Sequence, residues 1–303
     1  MLNKIRVGRG LWLVSTVFFS LICAIVRRWQ LSSAFEEELG LAIPHAPATV
    51  ILTCLLAMAV AVLLILAVKQ KVAATPRGAQ HKLWRHSGMV APNDTVTLTG
   101  TVAAAFLSLA AAPVLLWQGW RLRQEHSMAI VMGMETGGNN GVLLMLTAVT
   151  SLLAFAGLLM AGKDRSRGIR EGKGEQMIML AAVNGGLWLM ESYRGGAADP
   201  VLWNYVPLLL AIICGMLFYM DCAGLAAGAP HPRRTLWLAG ATVVISAVAI
   251  PGGRDFGSIL LLCAQILAAL AVLWRLPVNM EHPPVAEEPA AAEEEIQEED
   301  QDV

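Results

Sequence analysis

Eight apolar runs, each of about 16 to 27 residues, limit what this chain can fold into more than any other feature of it. They lie at about 11–27, 49–68, 96–120, 141–162, 176–193, 201–227, 235–250 and 257–274. A bilayer core about 30 Å thick is crossed by about 20 helical residues rising 1.5 Å each, and most of the runs meet that length. The run at 235–250 is short and is expected to extend into its flanks or thin the membrane locally. Backbone polar groups in lipid have to be satisfied within their own segment, which leaves helices as the spanning element here. The expected fold is therefore all-α: a polytopic membrane helical bundle of about eight transmembrane helices over residues 1–276, followed by a disordered acidic tail over 277–303. Composition agrees, with 56% hydrophobic and 15% charged residues against about 45–50% and about 25% in soluble domains.

The charges are unevenly distributed. Ten of the 23 acids lie between Glu281 and the last residue, in a segment rich in Pro and Ala with almost nothing to bury, so the tail reads as disordered and solvating or as an electrostatic contact for a basic partner. The body before Glu281 has 22 bases against 13 acids. With the N-terminus inside, 16 bases fall on the cytoplasmic side and six on the exterior, which satisfies the positive-inside rule and puts both termini in the cytoplasm. Most of the nine tryptophans, Trp12, Trp29, Trp117, Trp120, Trp203, Trp237 and Trp274 among them, sit near run ends as an aromatic belt requires. The first run also fits a secretory leader with Ser32 and Ala34 at a cleavage site, but Arg27, Arg28 and Trp29 are poor spacers, and an uncleaved helix is the expectation.

The six exterior bases, Arg27, Arg28, Arg121, Arg123, Arg194 and Arg254, each stand at or just beyond the outer end of an odd-numbered run. Packed together they would form a positive rim able to attract an anion or lipid headgroup; taken singly they are snorkelling anchors. In the fifth run Asn184, Trp188 and Glu191 follow the i, i+4, i+7 spacing of one helix face, and Arg194 is three residues past Glu191, within pairing reach. This is a candidate polar cluster near the outer surface, or a satisfied lock between helices. Asp221, in the sixth run, is a candidate intramembrane acid. It lies 17 residues after Asn204, about 25 Å deeper, so it cannot pair with Glu191 and is expected to meet a cytoplasmic base or a hydroxyl.

No motif for catalysis, metal or nucleotide binding is present: there is no H-E-x-x-H, G-x-S-x-G, Walker lysine or G-x-G-x-x-G pattern. The five cysteines all fall in apolar runs and the six histidines in connecting segments, which argues against a disulfide framework and against haem held between helices. No cofactor, metal or nucleic-acid partner is expected; the lipid bilayer is, and a protein partner or self-association is left open. The stretch ESYRGGAADPVLWNYVPLLLAIICGMLFYMDCAG, with the Arg233-Arg234 turn and two runs after it, resembles a group of functionally uncharacterised multi-pass proteins of Gram-positive bacteria. That resemblance implies the bacterial plasma membrane and brings no activity or site residues. The leading expectation is a non-enzymatic scaffold or accessory membrane component. The alternative is a transporter or binding protein for a small anionic solute, using the outer arginines and Glu191.

Overall fold

The computed structural model describes residues 8–36, 41–43, 45–72, 89–92, 94–132, 141–168, 173–196, 201–227 and 231–282. The acidic residues from 283 onward, and Arg77, Lys82 and Arg85 of the basic loop, lie outside them. The described chain forms α1 (Arg9–Ser33), α2 (Pro47–Lys69), α3 (Thr95–Val131), α4 (Val142–Ser166), a short α5 (Lys173–Met177), α6 (Met179–Gly196), α7 (Leu202–Ala227), α8 (Pro232–Ala249) and α9 (Phe256–Glu281). Strand pairing among the described residues is limited to the isolated bridge Phe35–Ala42. The protein is a multi-pass helical membrane protein. Eight of its helices reach at least 18 residues, and six of these are long and apolar enough to cross a membrane.

Consecutive helices run in alternating directions, so the C-terminal ends of α1, α3, α6 and α8 meet the N-terminal ends of α2, α4, α7 and α9 at one end of the bundle, called distal below. Six helices close a ring in the order α3, α4, α6, α7, α8, α9 and back to α3, while α1 and α2 pack on α8 from outside the ring. This placement explains why α8 is less apolar than its neighbours. It is wrapped by α1, α2, α7 and α9, so 12 of its 18 residues are buried, including Ala239, Gly240, Ala241, Thr242 and Ser246. Lipid tails are as apolar as Leu, so helices in membranes associate through close packing of small residues more than through hydrophobic transfer. A Cβ on Gly240 would lie 3.1 Å from the methyls of Leu63 on α2. In contrast, α2 is apolar all round and only 22% of its spanning window is buried, as suits a helix facing lipid.

Two elements depart from the expected runs. The third apolar run ends near residue 120, yet α3 continues to Val131, for 37 residues in all. Its extension RLRQEHSMAIV is made of good helix formers and carries an i, i+4 pair, Arg121 Nε to Glu125 Oε1 at 2.9 Å. The fifth run does not begin as one helix. Here α5 and α6 are separated at Ile178, and α5 lies so close to α4 that a Cβ on Gly157 would meet the Met177 carbonyl at 2.3 Å. The short helix is pinned by the Arg165–Glu175 ion pair, with Nε–Oε1 at 2.5 Å and Nη2–Oε2 at 3.1 Å, and by Gly174 N–H donating to Asp164 Oδ2 at 2.9 Å. The last helix runs to Glu281, past the expected boundary at 276, and buries Leu276, Pro277, Asn279 and Met280.

Candidate functional site

At the distal end, the last turn of α6, the first turns of α7 and α9 and the α8–α9 turn surround an open pocket of about 530 Å³. Glu191, Ser192, Gly195 and Gly196 come from α6, Asn204, Tyr205 and Leu208 from α7, and Gly252, Gly253, Arg254, Asp255 and Ser258 from the turn and α9. The turn is built by PGGRD. Gly253 takes φ 69°, which costs a glycine nothing, and Asp255 then caps α9 by accepting from the Ser258 N–H at 2.9 Å. Two helix N-termini thus border the pocket, and both favour negative charge there. The pocket's size falls in the range of small-molecule sites, roughly 300–1,000 Å³.

Arg254 is the cation of the lining. Burial pushes its guanidinium below the usual arginine range, and Asp255 beside it pulls it back up; it stays charged at neutral pH. One of its Nη2 hydrogens is donated to the Asn204 carbonyl, and its buried Nε–H has no acceptor among the described residues. Glu191 is half-buried on the opposite wall, with the Ser192 hydroxyl 3.4 Å from its Oε2. The site therefore places a guanidinium and two carboxylates, Glu191 and Asp255, around one solvent-reachable volume.

Arg27 stands behind this wall rather than on a rim. It is fully buried in α1, donates to Gln30 Oε1 at 2.6 Å and to the Trp203 carbonyl at 2.7 Å, and Gln30 donates in turn to the Thr49 hydroxyl at 2.9 Å. The reason lies in α7. Pro207 has no N–H, so the carbonyl four residues back, that of Trp203, lacks its helical donor. Arg27 supplies it from another helix, and Arg254 takes the next carbonyl, that of Asn204. A proline-opened helix start is thereby held by two arginines, and the pocket wall depends on both.

The remaining sequence candidates disperse. Arg28 and Arg194 are exposed, and Arg121 and Arg123 stand on the α3 extension, the first paired with Glu125. Asn184 and Trp188 share the α6 face with Glu191 but lie deeper and buried, with Asn184 Oδ1 accepting from the Thr150 hydroxyl at 2.8 Å. Asp221 sits near the proximal end of α7, where Arg234 at the start of α8 grips both its oxygens, Nε to Oδ2 at 2.7 Å and Nη2 to Oδ1. Its partner is thus a base, and the pair locks α7 to α8.

Asp255, Ser258, Tyr205 and Asn204 were not among the residues picked out by sequence. The D-x-x-S capping spacing after a Gly-Gly turn was a readable signal for the first two; for the α7 pair there was none, since their role comes from the neighbouring helix ends. Gln265 was also missed. It is buried in α9 and donates to Ser246 Oγ at 2.7 Å and to the Ala211 carbonyl at 3.3 Å. No family model matches the chain, and no curated protein or solved structure matches it.

Proposed function

We propose that this protein binds, and serves to move, a small zwitterionic solute at the distal end of the bundle, and that this end faces the outside of a bacterial plasma membrane; the excess of bases in the segments at the other end supports that orientation. The observation that carries the reading is the open 530 Å³ pocket in which Arg254 and the N-termini of α7 and α9 face Glu191 and Asp255. An anionic group is drawn to Arg254 and the helix starts, and an amine to the carboxylates. Glu191 narrows the expectation of a purely anionic solute, because an anion alone would meet repulsion there.

Thermal melting of the detergent-solubilised full chain against a panel of amino acids, phosphoamines and simple carboxylates tests this. At least one zwitterion should stabilise the protein, by about 2.7 kcal/mol when present at 100 times its Kd. Glu191→Gln and Arg254→Gln should each abolish the shift, the latter retaining a donor for the Asn204 carbonyl. A panel without any shift, or a shift that survives both substitutions, overturns the proposal.

A second reading keeps support from the chain itself. The ten acids after residue 280 favour a scaffold whose tail meets a basic partner. Pull-down from mild detergent with full-length protein and with a variant ending at His282 separates the two readings, since only the scaffold loses a partner.

A further inference from the structure

The three helices that line the distal pocket also line a second, smaller cavity one turn deeper, with almost every residue of its wall buried. On α6 the step is from Glu191 in the pocket to Trp188 in the cavity, on α7 from Leu208 to Ile212, and on α9 from Ser258 to Leu261. Each step is three or four residues, about 5 Å along a helix. Trp188, Leu208, Ile212 and Leu261 form one apolar cluster with each other, so what separates the two volumes is a single layer of side chains.

This deeper cavity is about 20 Å³, and Ser108, Asn184, Trp188, Tyr219 and Gln265 put polar groups on its wall. Trp188 is 2% exposed, and its indole N–H has no acceptor among the described residues. An indole N–H buried at membrane depth without a partner forgoes its hydrogen bond at a cost that a water accepting from it would remove. A volume of this measure above about 10–15 Å³ with two to four polar partners is what a buried water needs. Gln265 reaches this wall past a glycine: a Cβ on Gly215 would lie 2.2 Å from Gln265 Oε1, so glycine is what admits the glutamine amide here.

We propose that this cavity is a water site and the occluded continuation of the distal pocket, with the Trp188 side chain as the partition between them. The proposal rests on the distal-pocket reading only for its second half; the water site stands on the cavity alone. In this arrangement the ring interior, not the lipid-facing surface, is the polar way through the bundle. Trp188 closes it below the solute site, as a carrier open to one side requires.

Hydroxyl-radical footprinting of the full chain in nanodiscs tests the water, because buried side chains are oxidised only where water is at hand. Trp188 should be labelled several-fold faster than the equally buried Trp12, and Tyr219 faster than its neighbour Phe218. Trp188→Phe keeps the bulk but removes the donor, and should bring Tyr219 down to the rate of Phe218. Equal rates for both pairs in the wild type overturn the water site, whether or not any solute is found. The partition is read separately, in a background with all five cysteines replaced by alanine. Ile212→Cys should be closed to a charged thiol reagent when Trp188 is present or is Phe, and open to it in Trp188→Ala. Labelling that is the same in all three backgrounds overturns the partition, and if the pocket still binds its solute, the binding reading survives that result.

Discussion

Arg27 would ordinarily be the costliest residue in the bundle, a guanidinium with no exposed surface. It is tolerable because two of its contacts meet polar needs of other groups, the Gln30 amide and the Trp203 carbonyl released by Pro207, and its guanidinium also stands 5.9 Å from the Trp203 ring. The logic is testable by a double-mutant cycle. Arg27→Ala alone should destabilise by roughly 1–3 kcal/mol, since it strands the carbonyl and the glutamine. Pro207→Ala restores an N–H to the Trp203 carbonyl, so the same Arg27→Ala change in that background should cost about 1 kcal/mol less. Chemical denaturation of all four proteins in micelles measures the coupling, and strict additivity would rule out the carbonyl as the link.

Among the elements, α5 and α6 carry the clearest consequence of packing. The sequence 173–196 has enough helix formers to run on as one helix, and what divides it at Ile178 is the close approach of α4, with Gly157 under the Met177 carbonyl. Gly157→Ala pushes a methyl into that carbonyl and should lower stability by about 1–3 kcal/mol. Gly186→Ala, on α6 itself, meets nothing within 4 Å and should be neutral or gain a few tenths of a kcal/mol from helix propensity. Melting temperatures of the two variants side by side decide it. If both behave alike, the glycine under Met177 is not what shapes the break. The adjacent Gly185, whose Cβ would come 3.3 Å from Met216, marks where α6 and α7 approach.

At the scale of the whole molecule, the end of α9 closes the bundle. Asn279 Nδ2 and Arg275 Nε both donate to the Val90 carbonyl, at 2.9 and 3.2 Å, and Met280 is fully buried. The segment before α3 is thus fastened to the end of α9. Ending the chain after His282 should leave the melting temperature unchanged, whereas ending it after Trp274 should lower it by several degrees, the equivalent of a few kcal/mol in a chain of this size. Melting curves of the two truncated forms against the full chain check this; an equal loss in both would mean that the tail contributes to the fold.

How much of this was legible beforehand differs by level. Continuous apolar runs mark every long helix, because a membrane span advertises itself in one dimension, and the depth of Asp221 relative to Glu191 followed from helical rise alone. The α6 face of Asn184, Trp188 and Glu191 was also readable from spacing. What spacing could not supply is which helices adjoin. Arg254 joins Glu191, and Arg27 reaches Trp203, only because α1, α6, α7 and the α8–α9 turn converge at one end of a ring. Arg28, Arg121, Arg123 and Arg194, equally placed along the chain, go elsewhere. In lipid, apolar helix faces pack with little preference among themselves, so the order of helices is decided by small residues, by shape and by a few buried polar bonds. Those are properties of pairs of helices, and a single sequence records them one helix at a time.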